Sequence, residues 1–192
     1  ARLVGLDHAN LDANWPFRFA ALNWFGATQK GKDVSVMMPY ATALKEVADW
    51  YAQLWAESLG KARTLDGEPT VTGQTVVKAL GATDQHSQLQ LFLEGPNDKL
   101  ISLLRVGTFR RDCPIPEAIL PSPSIEYLDT HTFSRVLDAE LVGTQQAMTS
   151  YKRPSLTLTL DEINSETIGE LLMGFEIATA IAGQLWNIDA FD

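Results

Sequence analysis

The stretch Val34-Ser35-Val36-Met37-Met38-Pro39 is a short apolar run, rich in β-branched residues, that predicts a buried strand ending at the proline. From residue 42 or 43 to residue 59, apolar side chains recur at steps of three and four, which predicts a long amphipathic helix with Gly60 as its C-cap. The apolar positions are Leu44, Val47, Ala48, Tyr51, Leu54 and Trp55. A strand that leads directly into such a helix is typical of an α/β layer.

Strands and helices also alternate in the rest of the chain. Helical spacing of apolar residues predicts three further helices, over residues 14–28, 132–150 and 167–186. Short alternating or apolar runs predict strands over residues 88–94, 100–106 and 155–160. Residues 61–73 and the proline-rich residues 111–123 are predicted to be a loop and an extended connection. The sequence therefore predicts a domain of the α/β class.

Composition excludes several classes of function. The chain has 192 residues, of which 45% are hydrophobic and 20% charged, as expected for a globular protein with one core. Its formal charge of -9 argues against binding to nucleic acid or to an anionic membrane. No continuous apolar run approaches the roughly 18 to 20 residues of a membrane span. Cys113 is the single cysteine, so no intrachain disulfide can form, which fits a cytoplasmic protein.

Gln53 and Glu57 are the first candidates for a functional site. They stand four residues apart near the end of the predicted helix, so both side chains project from one face and can reach one ligand. A glutamate on an amphipathic helix is nevertheless more often an ordinary surface residue than a catalytic one. The spacing alone leaves both interpretations open.

His86 is the second candidate. It lies in the polar stretch Asp84-Gln85-His86-Ser87, directly before a predicted strand, where an imidazole with a pKa near neutrality could transfer protons. The alternative is a structural histidine that hydrogen-bonds its own loop. His8 and His131 have no comparable surroundings, and the three histidines and Cys113 never occur at metal-ligand spacing, so no metal site is predicted.

Three segments resemble the phosphoglucose isomerase family, in its bacterial form. Residues 51–61, Tyr-Ala-Gln-Leu-Trp-Ala-Glu-Ser-Leu-Gly-Lys, resemble the family segment in which a Gln and, four residues later, a Glu precede Ser-x-Gly-Lys. Residues 82–87 resemble the short polar segment that carries the active-site His of the family. Residues 183–192, Gly-Gln-Leu-Trp-Asn-Ile-Asp-Ala-Phe-Asp, resemble the opening of the C-terminal signature, which continues Gln-x-Gly-Val-Glu-x-x-Lys. The segments occur in the family order and span nearly the whole chain.

The resemblance implies a fold and a division of the chain. Residues 31–192 would form the second sugar-isomerase domain, a three-layer α/β/α sandwich with a mainly parallel five-stranded sheet. Residues 1–30 would be a helical lead-in, and the chain would be truncated before the helix with the catalytic Lys.

It also implies an activity. Family members interconvert glucose 6-phosphate and fructose 6-phosphate through a cis-enediol, in the cytoplasm, without metal or organic cofactor. If the roles of the family residues apply here, Glu57 is the base that moves a proton between C1 and C2 of the sugar. Gln53 then binds the substrate, and His86 assists the opening of the pyranose ring. In the family this His reaches the site of the partner subunit, so a homodimer is expected.

Three points accompany this expectation. The phosphate-binding groups, an Arg that stabilises the enediolate and the Lys after Asp192 would lie outside the chain, so the isolated chain is expected to be inactive. The same fold also occurs in regulators that bind a sugar phosphate without reacting it, and such a non-catalytic module is the alternative. Isomerisation of mannose 6-phosphate is a further alternative, because these residues do not indicate which configuration at C2 of the sugar is preferred.

Overall fold

A parallel β-sheet forms the centre of the computed structural model, which describes residues 14–116, 123–129 and 131–192. Its strands are β1 (Val34–Pro39), β2 (Thr75–Lys78), β3 (Lys99–Thr108) and β4 (Ser155–Glu162), in the order β2-β1-β3-β4. Every neighbouring pair is parallel, with Val36 opposite both Val77 and Ile101. All strands therefore end at one carboxyl edge of the sheet and begin at one amino edge.

Helices cover both faces of this sheet. The helices are α1 (Trp15–Lys30), α2 (Lys45–Leu59), α3 (Leu89–Glu94), α4 (Phe133–Ser150) and α5 (Ser165–Leu185). The first, second and fifth pack on one face, and the third and fourth pack on the other. The predicted three-layer α/β/α class is confirmed, although the described residues form four strands where five were expected.

The first face carries an aromatic core. Phe19 of α1 makes edge-to-face contacts with Trp55 of α2 at 5.5 Å and with Phe175 of α5 at 5.2 Å between ring centroids. Such pairs contribute about 0.5–1.5 kcal/mol each beyond the burial of their surface. Helix α1 is thereby packed into the same core as α2 and α5.

The second face is aliphatic. Val36 and Met38 of β1 pack with Leu141 and Met148 of α4, whereas Met37, between them, points into the aromatic core. Because side chains alternate along a strand and both faces are covered, the strand must be apolar at every position. This explains the continuous apolar run that predicted β1.

Two local predictions were wrong or incomplete. Residues 88–94 were predicted to be a strand but form α3, in which Phe92 is buried while Leu91 is 55% exposed. The apolar residues Leu89, Phe92 and Leu93 fall at helical steps of three and four, which the apparent alternation concealed. Strand β2 was not predicted, because none of its four residues is fully buried.

Three predicted helices and two predicted strands are confirmed with shifts of a few residues at their ends, namely α1, α4, α5, β3 and β4. The predicted helix after β1 begins as a 3₁₀ turn, Thr42–Leu44, and continues as α2. Within the proline-rich connection, residues 111–116 contain no helix, and residues 117–122 lie outside the described residues.

Helix α5 has the length and composition to cross a membrane, with 21 residues and a mean hydropathy of 1.3 over its most apolar 18-residue window. Glu170 and Glu176 interrupt its apolar sequence, which is why a search for continuous runs missed it. Phe175, Ala178 and Ala182 of this helix are fully buried against α1, α2 and the sheet. These contacts are those of the core helix of a folded domain.

Candidate active site

Gln53 and Glu57 occupy the last two turns of α2, and both side chains are exposed. Gln53 Nε2 donates to Glu57 Oε2 across a long 3.4 Å. The structure thus brings the predicted pair together on one helix face. The remaining lone pairs of the carboxylate face solvent, free for a ligand.

Hydrogen bonds place this end of α2 at the amino edge of the sheet. Trp55 Nε1 donates to Gln74 Oε1 at 3.1 Å, and Gln74 Nε2 donates to the main-chain oxygen of Lys32 at 2.7 Å. Gln74 directly precedes β2, and Lys32 lies two residues before β1. Glu57 is therefore close to the starts of the strands.

The last residues of the chain lie beside the same end of α2. The amide of Leu65 donates to the main-chain oxygen of Asn187 at 2.8 Å, and Asn187 Nδ2 donates to Asp66 Oδ2 at 2.9 Å. Lys61 Nζ donates to the main-chain oxygen of Asp192. Two of the three sequence segments that carry the resemblance therefore meet at one place.

His86 lies at the opposite edge. After β2 the chain continues alongside β1. The Ala79 amide donates to the main-chain oxygen of Met37 at 3.0 Å, and the Gly81 amide donates to that of Pro39 at 2.9 Å. A 3₁₀ turn, Thr83–Gln85, then leads to His86. The imidazole is exposed, and within the described residues it makes no hydrogen bond.

Asp84 gives the turn its shape. Its carboxylate accepts a hydrogen bond from Ser87 Oγ at 2.6 Å and another from the Leu80 amide at 2.7 Å. The hydrogen bond from Ser87, supported by the one from Leu80, lowers the pKa of the Asp84 carboxyl against the opposing effect of partial burial.

A second set of hydrogen bonds attaches the turn to the domain. Gln85 Nε2 donates to Tyr40 Oη and to Thr144 Oγ1, each at 2.8 Å, and Tyr40 Oη donates to Thr144 Oγ1 at 2.8 Å. Burial raises the pKa of Tyr40. Sequence reasoning missed Tyr40 and Thr144, which are 104 positions apart and carry no shared motif.

Glu57 and His86 are not brought together within one chain. The Lys78–Asp49 ion pair joins the carboxyl end of β2 to the first half of α2, so this helix runs back along the sheet. Glu57 follows Asp49 by eight residues, or about 12 Å along the helix axis. The two candidates therefore belong to opposite edges of the sheet.

The other two histidines have different settings. His8 lies outside the described residues. His131 lines an open groove of about 460 Å³ beside α4, together with Tyr127, Arg135 and Glu140. Gln85 also lines this groove, whereas Glu57 does not.

The fold and the arrangement of these polar groups define a class of protein: a three-layer α/β domain with a parallel sheet and candidate functional side chains at both edges.

No protein-family model matches the chain. The chain is 45% identical over 164 residues to the glucose-6-phosphate isomerase of Carboxydothermus hydrogenoformans, an alignment that covers 85% of this chain and 35% of that enzyme.

Two solved structures share the fold of this chain. A hypothetical protein of Thermus thermophilus superposes with a TM-score of 0.87 at 34% identity, covering 95% of this chain and 42% of that one. The glucose-6-phosphate isomerase of Chlamydia trachomatis superposes with a TM-score of 0.78 at 22% identity, covering 92% of this chain and 35% of that one, and shows the fold alone. The resemblance to phosphoglucose isomerases is thus confirmed: the chain is a homologue of a segment of glucose-6-phosphate isomerases, and it spans about a third of the length of the curated relatives that it matches.

Proposed function

We propose that the chain is part of an enzyme that interconverts glucose 6-phosphate and fructose 6-phosphate, as the names of its relatives suggest. The observation that carries this proposal is the exposed pair of Gln53 and Glu57 on one face of α2, within a chain 45% identical to such an isomerase. In this proposal residues 31–192 are the second sugar-isomerase domain, with residues 1–30 leading into it, of a cytoplasmic glycolytic enzyme.

Glu57 is the general base in this mechanism. Its carboxylate takes the proton from C2 of the open-chain aldose, so that the C2–H bond breaks and an enediol forms. The proton returns to C1 as the new C1–H bond, while the hydroxyl proton of O2 passes to O1 and the carbonyl moves to C2. A well-placed base contributes about 10²- to 10⁴-fold to the rate. C1 is reduced while C2 of the same sugar is oxidised, so the isomerisation needs no redox cofactor.

Gln53 holds substrate beside this base. Its amide nitrogen already points toward Glu57 Oε2 at 3.4 Å, a distance long enough to give way to a sugar hydroxyl. The amide can donate to the hydroxyl while the carboxylate takes the carbon-bound proton. Binding and proton transfer thus come from adjacent turns of one helix.

His86 acts on the ring form of the substrate. Its imidazole exchanges a proton with a sugar oxygen and so opens the pyranose. Because it lies at the edge of the sheet opposite Glu57, we propose that it serves the site of a partner subunit in a homodimer. In this proposal the phosphate-binding groups, an Arg and a Lys expected from the family complete each site.

A Glu57→Gln substitution in the full-length polypeptide tests the proposed base. The amide keeps the size of the side chain but cannot accept the proton, so kcat should fall about 10²- to 10⁴-fold with little change in KM. A coupled assay of fructose 6-phosphate formation measures this. Glu176→Gln, the same change at an exposed position of α5, is the matched control and should retain wild-type kcat.

Two other outcomes have defined meanings. A Glu57→Gln variant with wild-type kcat contradicts the assigned base. A wild-type protein that binds sugar phosphate without turning it over identifies the non-catalytic regulatory module instead. Competition between glucose 6-phosphate and mannose 6-phosphate decides the question of specificity.

Mixing two inactive variants tests the shared site. If His86 serves the partner, a dimer of one Glu57→Gln chain and one His86→Ala chain contains one intact site and one doubly altered site. Random reassociation makes about half of the dimers mixed, so specific activity should recover to about a quarter of wild type. No recovery above the two separate variants contradicts sharing.

A further inference from the structure

One side chain of the turn that carries His86 reaches two other elements of the domain. Gln85 places its amide nitrogen 2.8 Å from both Tyr40 Oη and Thr144 Oγ1 and 3.3 Å from the main-chain oxygen of Glu140. Tyr40 directly follows β1 and Thr144 lies in α4, so Gln85 joins the turn to two separate elements. We call Tyr40, Gln85 and Thr144 the glutamine anchor.

The anchor is fixed on the domain side. Tyr40 is 2% exposed and Thr144 is 3% exposed, and their hydroxyls are hydrogen-bonded to each other. Gly81 packs against the Tyr40 ring so closely that an added Cβ would lie 2.5 Å from ring carbons. Neither hydroxyl can move without disturbing the core, so the acceptors that Gln85 reaches are preorganised.

His86 has no comparable support of its own. Its side chain is exposed and makes no hydrogen bond within the described residues. The position of the imidazole is therefore set by the backbone of the turn. Asp84 fixes the internal shape of that turn. The main-chain hydrogen bond from Gly81 to Pro39 holds its start on β1, and the hydrogen bonds of Gln85 hold its end on Tyr40 and on Thr144 of α4.

We propose that Gln85 is a positioning residue for His86, which holds the turn on Tyr40 and Thr144 so that the imidazole projects from the carboxyl edge at a fixed place. This inference rests on the proposed role of His86. Proton transfer is sensitive to placement, and a displacement of about 1 Å can lower a rate about 10²-fold. Gln85 itself points into the domain and needs no contact with substrate.

A double-mutant cycle in the full-length polypeptide tests the inference. His86→Ala should lower kcat about 10²- to 10³-fold, and Gln85→Ala should lower it about 10- to 100-fold with KM within about twofold of wild type. If Gln85 acts through His86, the double variant should be no slower than His86→Ala alone. Gln90→Ala, at an exposed position of α3, is the matched control and should keep wild-type kcat.

Thr144→Val alters the α4 residue of the glutamine anchor. It replaces Gln85→Ala as the test if that variant does not fold. Thr144→Val keeps the branched shape of the side chain but removes the oxygen that accepts from both the Gln85 amide and the Tyr40 hydroxyl, whereas Thr144→Ser keeps that oxygen and should restore the rate. The loss caused by Thr144→Val should disappear in the His86→Ala background. An equal loss in both backgrounds shows a merely structural role and overturns the inference.

The inference and the proposed function can fail separately. If His86→Ala leaves kcat unchanged, the role of His86 is wrong, and the inference is overturned with it. If His86→Ala is slow but Gln85→Ala and Thr144→Val are as fast as wild type, only the inference is overturned.

Discussion

At the scale of single residues, Asp84 shows how a charged group can shape a turn. Its carboxylate is held by the Ser87 hydroxyl and the Leu80 amide, which lower its pKa. The pKa in the folded state is therefore below the unfolded value of about 3.9. The stabilisation is fully present above that unfolded value and is lost as the pH falls through the lower, folded pKa.

Asp84→Asn should therefore destabilise the protein in a pH-dependent way. Loss of hydrogen bonds to a charged group should reduce the free energy of unfolding by about 1–2 kcal/mol at pH 7. As the pH falls below the unfolded value of about 3.9 towards the lower, folded pKa, the stabilisation is lost, so the difference should shrink. Urea unfolding of both proteins at pH 7 and pH 3 measures it.

Asp33→Asn provides the control for this prediction. Asp33 is exposed and its side chain makes no hydrogen bond within the described residues, so the substitution should change stability little at either pH. A difference between Asp84→Asn and wild type that is the same at both pH values contradicts the assigned cause.

The candidate site residues and their surroundings differ in how far the sequence could point to them. Gln53, Glu57 and His86 stand in short segments that resemble the isomerase family, so the sequence could identify them as candidates. The paired hydroxyls of Tyr40 and Thr144 become neighbours only when α4 packs on the sheet. No local pattern encodes a contact between residues 104 positions apart.

At the scale of elements, the packing of α5 on α1 depends on the lack of a side chain at Gly174. An added Cβ there would lie 1.9 Å from Trp15 Cζ2. The Trp15 ring in turn packs edge-to-face on Phe175 at 5.4 Å. The ring cannot retreat without losing that contact, so the close approach of the two helices needs glycine.

Gly174→Ala should therefore lower stability although alanine favours helices. Overpacking costs about 1–3 kcal/mol, against a gain in helix propensity of about 1 kcal/mol. Gly169→Ala, in the same helix with no atom within 4 Å of the added Cβ, should be neutral or stabilising by up to about 1 kcal/mol. Thermal unfolding measures both, and a Gly174→Ala variant as stable as Gly169→Ala contradicts the packing argument.

The long helices were predictable, whereas the shortest described helix and strand were not. Helices α2, α4 and α5 have 15, 18 and 21 residues, enough for a helical period to show in the sequence. Helix α3 has six residues and β2 has four, so one or two tertiary contacts decide their conformation. In α3 that contact is the burial of Phe92 in the core between α4 and the sheet.

At the scale of the whole molecule, the proposed active site is larger than this chain. The described edges carry the proposed base with its proposed substrate-binding neighbour, and a histidine, whereas the proposal assigns the phosphate site, Arg and Lys to none of the described residues. Loss of a single donor that stabilises the developing oxyanion costs about 3 kcal/mol in activation free energy.

The purified 192-residue chain should therefore be inactive. A coupled assay at high protein concentration, with both hexose phosphates, should show no turnover above the rate without protein. Turnover that Glu57→Gln abolishes contradicts this expectation and shows that the chain carries enough of the site to react.

The placement of Glu57 and His86 at opposite edges of one sheet has a consequence for mass action. In the proposed dimer each protomer carries two half-sites, one with Glu57 and one with His86, and neither is active until a second protomer is bound. Below the dissociation constant of the dimer, the rate per protomer must then fall in proportion to the enzyme concentration, so that the total rate depends on its square. A substrate that contacts both half-sites binds only the dimer, so it must shift the equilibrium towards association. Substrate therefore stabilises the dimer that converts it.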